Sequence, residues 1–126
     1  MRLKPNETMT VVIDYQEKLM PAINENEKLI SNSAILLKGL KELEIPMVVS
    51  QQYTKGLGET VAPIAEALGE FEVFDKKTFS LLQTEEIKKA IEEKGRKNVI
   101  VCGAEAHICV LQTVIDLIAE GFNVFL

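Results

Sequence analysis

Short apolar runs rich in β-branched residues alternate along this chain with segments whose apolar residues recur every three or four positions. That rhythm predicts an α/β fold in which strands of a mainly parallel sheet alternate with helices. Residues 8–14, Thr-Met-Thr-Val-Val-Ile-Asp, read as a first strand that is apolar on both faces, as a central parallel strand must be, and that ends on a carboxylate. Leu29, Ile30, Ala34, Leu37, Leu40 and Leu43 then recur at helical spacing, predicting a helix over residues 27–43 packed on the sheet. A second strand over residues 46–50 gives way to a polar, glycine-bearing loop over residues 51–60. A short helix over residues 61–68 leads through Gly69 to a brief strand at residues 71–74 and a polar loop, Asp75-Lys76-Lys77-Thr78.

Further on, Thr84 is placed to cap a helix whose first turn carries Glu85 and Glu86, where negative charge suits the helix dipole. Ile87, Ala90 and Ile91 form its buried face and Gly95 closes it. Residues 98–102 are the next strand, residues 103–108 its exit loop, and a helix follows over residues 109–120 with Val110, Val114, Leu117 and Ile118 inward and Gly121 as C-cap. Asn123 begins a fifth strand on which the sequence ends. Domains seldom stop inside a strand, so the expectation is one domain, residues 1–126, that lacks a C-terminal segment.

Composition narrows the function. A chain of 126 residues, 47% hydrophobic, builds one core and leaves little for a second domain. Nineteen acidic residues against fourteen basic ones give a net charge of −5, with the Lys and Arg scattered among Glu, which argues against a nucleic-acid partner. No apolar run has the length of a signal peptide or a membrane span, so the expected setting is cytoplasmic and away from membranes. Cys102 and Cys109 fall in a strand and at a helix start, and reduced thiols are expected rather than a disulfide.

The candidate chemistry follows from placement. Functional groups of an open α/β sheet collect beyond the carboxyl ends of the strands, near the point where strand order reverses. Asp14 ends the first strand, Lys76 and Lys77 follow the third, and Cys109 follows the fourth. In a sheet of order 3-2-1-4-5, the first and fourth strands are neighbours, which brings Asp14 to Cys109 and leaves Lys76 to reach in from further out. A cysteine at a helix start is ionised more readily by unpaired N–H groups and the helix dipole. Asp14 would take and return the proton, a lysine ammonium would balance the charge, and N–H groups of the 103–109 loop would receive an oxyanion. Each residue also has an ordinary reading: a buried structural thiol, a capping aspartate, a solvated lysine pair.

Three local sequences in order give these candidates more weight. Val12-Ile13-Asp14-Tyr15-Gln16-Glu17-Lys18-Leu19, Lys76-Lys77-Thr78-Phe79-Ser80 and Gly103-Ala104-Glu105-Ala106-His107-Ile108-Cys109-Val110 resemble the aspartate, lysine and nucleophile motifs of the isochorismatase-like cysteine hydrolases. The resemblance implies a Rossmann-like three-layer αβα sheet of order 3-2-1-4-5, to which the family adds a further strand. It implies an Asp14-Lys76-Cys109 triad, with Lys76 preferred to Lys77 for its spacing to Phe79 and Ser80. It also implies a cis peptide between Ala104 and Glu105, with the amides of Glu105 and Cys109 as oxyanion hole. Gln16, Gln52, Tyr53, Ala106 and His107 are the candidate substrate contacts, although many relatives have Thr and an acidic residue where this chain has Ala106-His107.

Among the family's chemistries, a metal-dependent nicotinamidase places Asp and His ligands after the second strand. This chain reads Ser50-Gln51-Gln52-Tyr53-Thr54 there and its only histidine is His107, so neither metal nor other cofactor is expected. Isochorismatase-type ether hydrolysis by water has no need of the cysteine. The expected activity is therefore cleavage of a small-molecule amide C–N bond through a thioester. Nicotinamidase-type and ether-hydrolase activities stand as alternatives, as does a non-catalytic oligomeric scaffold. The expected partners are a small-molecule substrate and further copies of the chain.

Overall fold

The structure, a computed structural model, describes residues 2–126. Five strands, β1 (Thr8–Ile13), β2 (Met47–Gln52), β3 (Val73–Lys76), β4 (Asn98–Gly103) and β5 (Asn123–Phe125), form one parallel sheet of order β3-β2-β1-β4-β5. The order is the one the family resemblance implies.

The helices are α1 (Asn26–Glu42), α2 (Thr54–Leu57), α3 (Ala62–Leu68), α4 (Glu85–Glu93) and α5 (Leu111–Ala119). Because strand side chains alternate in direction, β1 feeds two cores. Met9, Val11 and Ile13 pack with Val48, Val99 and Val101 against Ile87 and Ile91 of α4 and Leu117 of α5. Val12, with Val49, packs against Ala34 and Leu37 of α1 and Ile64, Ala67 and Leu68 of α3. The sheet is thus covered on both faces, a three-layer arrangement that explains why its central strand is fully buried and mostly apolar.

Several boundaries differ from the sequence expectation. β2 runs on through Gln51 and Gln52, and β3 is displaced to Val73–Lys76, so Lys76 lies in a strand and not in a loop. These polar strand ends look like loop in sequence because strand propensity there is overridden by pairing with neighbours: Gln51 pairs with Asp75 and Gln52 with Lys76. Thr84 precedes α4, but its side chain caps no helix N–H; its hydroxyl is engaged with that of Thr78 at 2.7 Å. Val110, Val114 and Leu117 pack inward as expected and are joined by Thr113, whereas Ile118 is exposed. Leu43, counted with the inward stripe of α1, is also exposed and lies one residue past the helix end.

One glycine is required by close approach. β4 ends at Gly103, whose φ is +144° and where a Cβ would run into the Ile13 carbonyl. Only a residue without a side chain lets the exit of β4 lie against the end of β1.

Candidate active site

The site is built where β1, β2, β3 and β4 end. Register places Ser50 and Gly103 beside Ile13, and Lys76 beside Gln52. Asp14 follows directly, in the left-handed region at φ +55°, which turns the chain off the sheet and its carboxylate inward.

Asp14 has no exposed surface, Lys76 is 2% exposed and Cys109 6%. Asp14 Oδ1 accepts from the Ser50 hydroxyl at 2.8 Å, and Oδ2 accepts from Lys76 Nζ at 3.0 Å. Nζ also reaches Gln52 Oε1 at 2.6 Å, the Thr78 carbonyl at 3.1 Å and Cys109 Sγ at 3.4 Å. Two neighbouring strand spacings, about 10 Å, separate β3 from β1. The lysine side chain crosses them, as the expectation of a long reach required, but it does so from a strand end.

Cys109 sits in one wide helical turn, Ala106–Val110, ahead of α5; the Val110 N–H donates to the Glu105 carbonyl at 3.2 Å. Burial, followed by the Asp14 charge, pushes the thiol up to about 11, and Lys76 opposes that shift without reversing it. Against the sequence expectation of a thiolate prepared by the helix start, burial and the neighbouring carboxylate act to hold the proton on sulfur. The Ala104–Glu105 peptide is cis, as the resemblance implied. The N–H groups of Glu105, Ala106 and His107 make no backbone hydrogen bond among the described residues. Such donors at the start of a helical turn suit an incoming negative oxygen.

The other candidates divide. Gln16 is fully buried and committed to main-chain groups: its Nε2 donates to the carbonyls of Gln52 and Gly58, both at 2.9 Å, and its Oε1 accepts from the Gln52 N–H at 2.6 Å. These bonds tie the end of β1 to the end of β2 and to Gly58. Gln52 faces the lysine. Tyr53, half exposed at φ +37°, has its ring close over Gly56 and the Lys77 ammonium 5.9 Å from the ring centre. Lys77 therefore lies outside the buried cluster, on the rim. Ala106 is exposed, and His107 has a 72% exposed side chain 4.0 Å from the Glu105 carboxylate.

Sequence reasoning missed Ser50 and the Thr78 carbonyl. Ser50 carried a signal: a polar residue ending an apolar strand, level with the end of β1. A main-chain carbonyl carries none. Thr54, which begins α2, donates from its N–H and hydroxyl to Asp75 at 2.8 and 2.6 Å, holding the Tyr53 turn to β3. These bonds keep the Asp75 carboxyl below its ordinary value. Among the described residues no group of three or more His, Cys, Asp or Glu is placed to hold a metal ion.

A doubly covered parallel sheet with Asp14, Lys76 and Cys109 buried together at its reversal point defines an α/β protein with a candidate active site at its strand ends. The chain belongs to the isochorismatase family: the isochorismatase-domain model matches residues 8–126. It is similar to isochorismatase domain-containing protein 1 of Salmo salar, 40% identical over 122 residues that make up 97% of this chain and 43% of that protein. Among solved structures, MAR1 ribonuclease from Caenorhabditis elegans superposes with a TM-score of 0.89 at 39% identity, over 98% of this chain and 64% of that one. The Escherichia coli YcaC product, described as an octameric hydrolase of unknown specificity, shares the fold with a TM-score of 0.89 at 22% identity, over 98% of this chain and 63% of that one. The chain thus spans less than half of the salmon relative and less than two thirds of either solved chain.

Proposed function

We propose that this domain is a cysteine-dependent hydrolase that cleaves the amide C–N bond of a small molecule, with Cys109 as nucleophile, Asp14 as acid and base, and Lys76 as counter-charge. The observation that carries the reading is the Lys76 ammonium held 3.0 Å from Asp14 Oδ2 and 3.4 Å from Cys109 Sγ in a nearly closed site. Three such groups are not buried together without cost, and the cost is justified where their proton exchange is used.

The thiol proton passes to Asp14 as sulfur bonds to the carbonyl carbon, and the carbonyl π electrons move to oxygen. N–H groups at the start of the 106–110 turn, with those of Glu105 and Cys109 in the roles the family motif implies, receive that oxyanion. Asp14 then gives its proton to the departing nitrogen, the C–N bond breaks and a thioester remains. Water attacks it, Asp14 takes a water proton, and the released thiolate recovers a proton from Asp14. Lys76 keeps the net charge of the cluster favourable while the negative charge moves between oxygen and sulfur. Tyr53, Ala106 and His107, all exposed, are the proposed substrate contacts.

A nucleolytic reading, which the name of the nematode neighbour raises, has less support in this chain, whose net charge is −5 and whose buried lysine is occupied by a carboxylate. Assembly into homo-oligomers is part of the proposal: Leu111, Ile115 and Ile118 form an exposed apolar stripe at helical spacing on α5.

The test is a panel of small amides screened for ammonia release. The expected result is turnover by the wild type, none by Cys109→Ala, and an acyl adduct on the Cys109 peptide in mass spectra of quenched reactions. Full activity of Cys109→Ala on any amide found would exclude sulfur as nucleophile.

A further inference from the structure

An ammonium group has three hydrogens to give. Lys76 has four neighbours: Asp14 Oδ2 at 3.0 Å, Gln52 Oε1 at 2.6 Å, the Thr78 carbonyl at 3.1 Å and Cys109 Sγ at 3.4 Å. Four acceptors thus compete for three hydrogens, and a neutral sulfur is the weakest of the four. The thiol lies within hydrogen-bond reach of the ammonium, and its contact is the longest and the most readily outcompeted. Of the three oxygens, Asp14 supplies the counter-charge and Thr78 a main-chain carbonyl. Gln52 alone offers a neutral side chain, and its contact is the shortest.

Gln52 is also held in place. Buried Gln16 grips its N–H at 2.6 Å and its carbonyl at 2.9 Å, and the adjacent Tyr53 N–H donates to the Lys76 carbonyl at 2.8 Å. A glutamine fixed by another glutamine, with its oxygen on a lysine, is more machinery than strand pairing requires.

We propose that Gln52 is a positioning residue that keeps the Cys109 sulfur in its thiol form at rest by claiming a hydrogen of Lys76, with Gln16 as the strut that holds it there. The inference rests on the reading of Cys109 as nucleophile for its value to catalysis, while its geometry concerns the free protein alone. A resting thiol is slow to be alkylated or oxidised, because the thiolate is the reactive form. Its proton remains available to Asp14, so ionisation is coupled to attack on the substrate. The charged groups acting on the sulfur are Asp14, from the end of β1, and Lys76, from β3. His107, on the same turn as Cys109, points instead to Glu105 at 4.0 Å.

The experiment titrates the thiol in the absence of substrate. In a Cys102→Ala background, only Cys109 contributes thiolate absorbance and alkylation by acrylamide. Gln52→Met keeps the length and removes the acceptor, freeing a lysine hydrogen for sulfur. The Cys109 pKa is expected to fall by about one unit. Alkylation at pH 8 should then quicken about threefold, since a tenfold gain in thiolate is partly offset by lower nucleophilicity. Gln52→Glu, which binds the lysine more tightly and adds negative charge near sulfur, is expected to raise the pKa. Opposite shifts in the two variants support the proposal, and an unchanged titration in both overturns it. A shift in the same direction in both also overturns it, because general loosening of the site would act that way. If Gln52→Met fails to fold, the rise in Gln52→Glu decides alone. None of these readings needs turnover, so their failure is distinct from a Cys109→Ala enzyme that still hydrolyses amides.

Discussion

Lys76 and Asp14 depend on each other more than on the sulfur. Lys76→Met would leave a carboxylate with no exposed surface and no counter-charge, a loss of about 3 to 5 kcal/mol. Urea unfolding should show that loss, and Asp14→Asn added to Lys76→Met should restore part of it, because the orphaned charge is then gone. Cys109→Ser keeps shape and hydrogen bonding but supplies a far weaker nucleophile to Asp14. On the amide substrate that the screen identifies, its kcat is expected to fall about 10³-fold or more with little change in KM. A KM that rose while kcat held would assign the side chain to binding instead. Thr10 is a different case, a hydroxyl fully buried in β1 whose Oγ1 has no hydrogen-bond partner among the described residues. Thr10→Val has nearly the same shape and removes the orphan, so it is expected to stabilise by about 1 kcal/mol in the same unfolding assay.

Elements position these residues through contacts that sequence patterns reveal unevenly. The sheet order came from the family resemblance, and periodicity located β1, β2, β4 and β5, because burial on both faces leaves a mainly apolar signature in residues 9–13 and 98–102. It failed at β3, a short edge strand whose last two residues, Asp75 and Lys76, are charged. Their strand conformation is set by pairing with Gln51 and Gln52, information that lies on another segment. Asp14, Lys76 and Cys109 were legible because motif order and strand ends agree; Ser50 and the Gln16 strut were not, because their roles depend on register across β1 and β2. The link between β3 and α4 was equally hidden. Buried Thr113 on α5 accepts the Leu81 N–H at 3.2 Å, joining α5 to the segment that follows the lysine. Thr113→Val should orphan that N–H and cost about 1 to 3 kcal/mol, read as a lower Tm. Gly103→Ala should cost at least as much, since the added methyl meets the Ile13 carbonyl and shifts the strand end that carries the nucleophile loop.

At the scale of the whole molecule, burial of titratable groups makes stability depend on alkaline pH. Burial pushes the thiols of Cys102 and Cys109 from 9.0 up to about 11, and raises the Tyr15 phenol as well. Between about pH 9 and 11 the folded chain therefore holds more protons than the unfolded one, and the free energy of unfolding falls as pH rises through that window. Below pH 9 the contribution is fully present. Urea midpoints measured across this range should decline, and Cys102→Ala should flatten the decline; a flat profile for the wild type would contradict the burial of both sulfurs.

The three charged or ionisable members of the cluster come from positions 62 and 33 residues apart along the chain. Before the strand ends meet, position 109 is an ordinary cysteine with an ordinary acidity. Its reluctance to ionise is acquired only when the sheet has assembled, and it vanishes wherever that assembly opens. In a Cys102→Ala background, a mildly alkaline pulse of alkylating reagent would therefore mark the misfolded or breathing fraction of a sample and spare the native one, so that a single sulfur atom serves as a gauge of foldedness without any substrate.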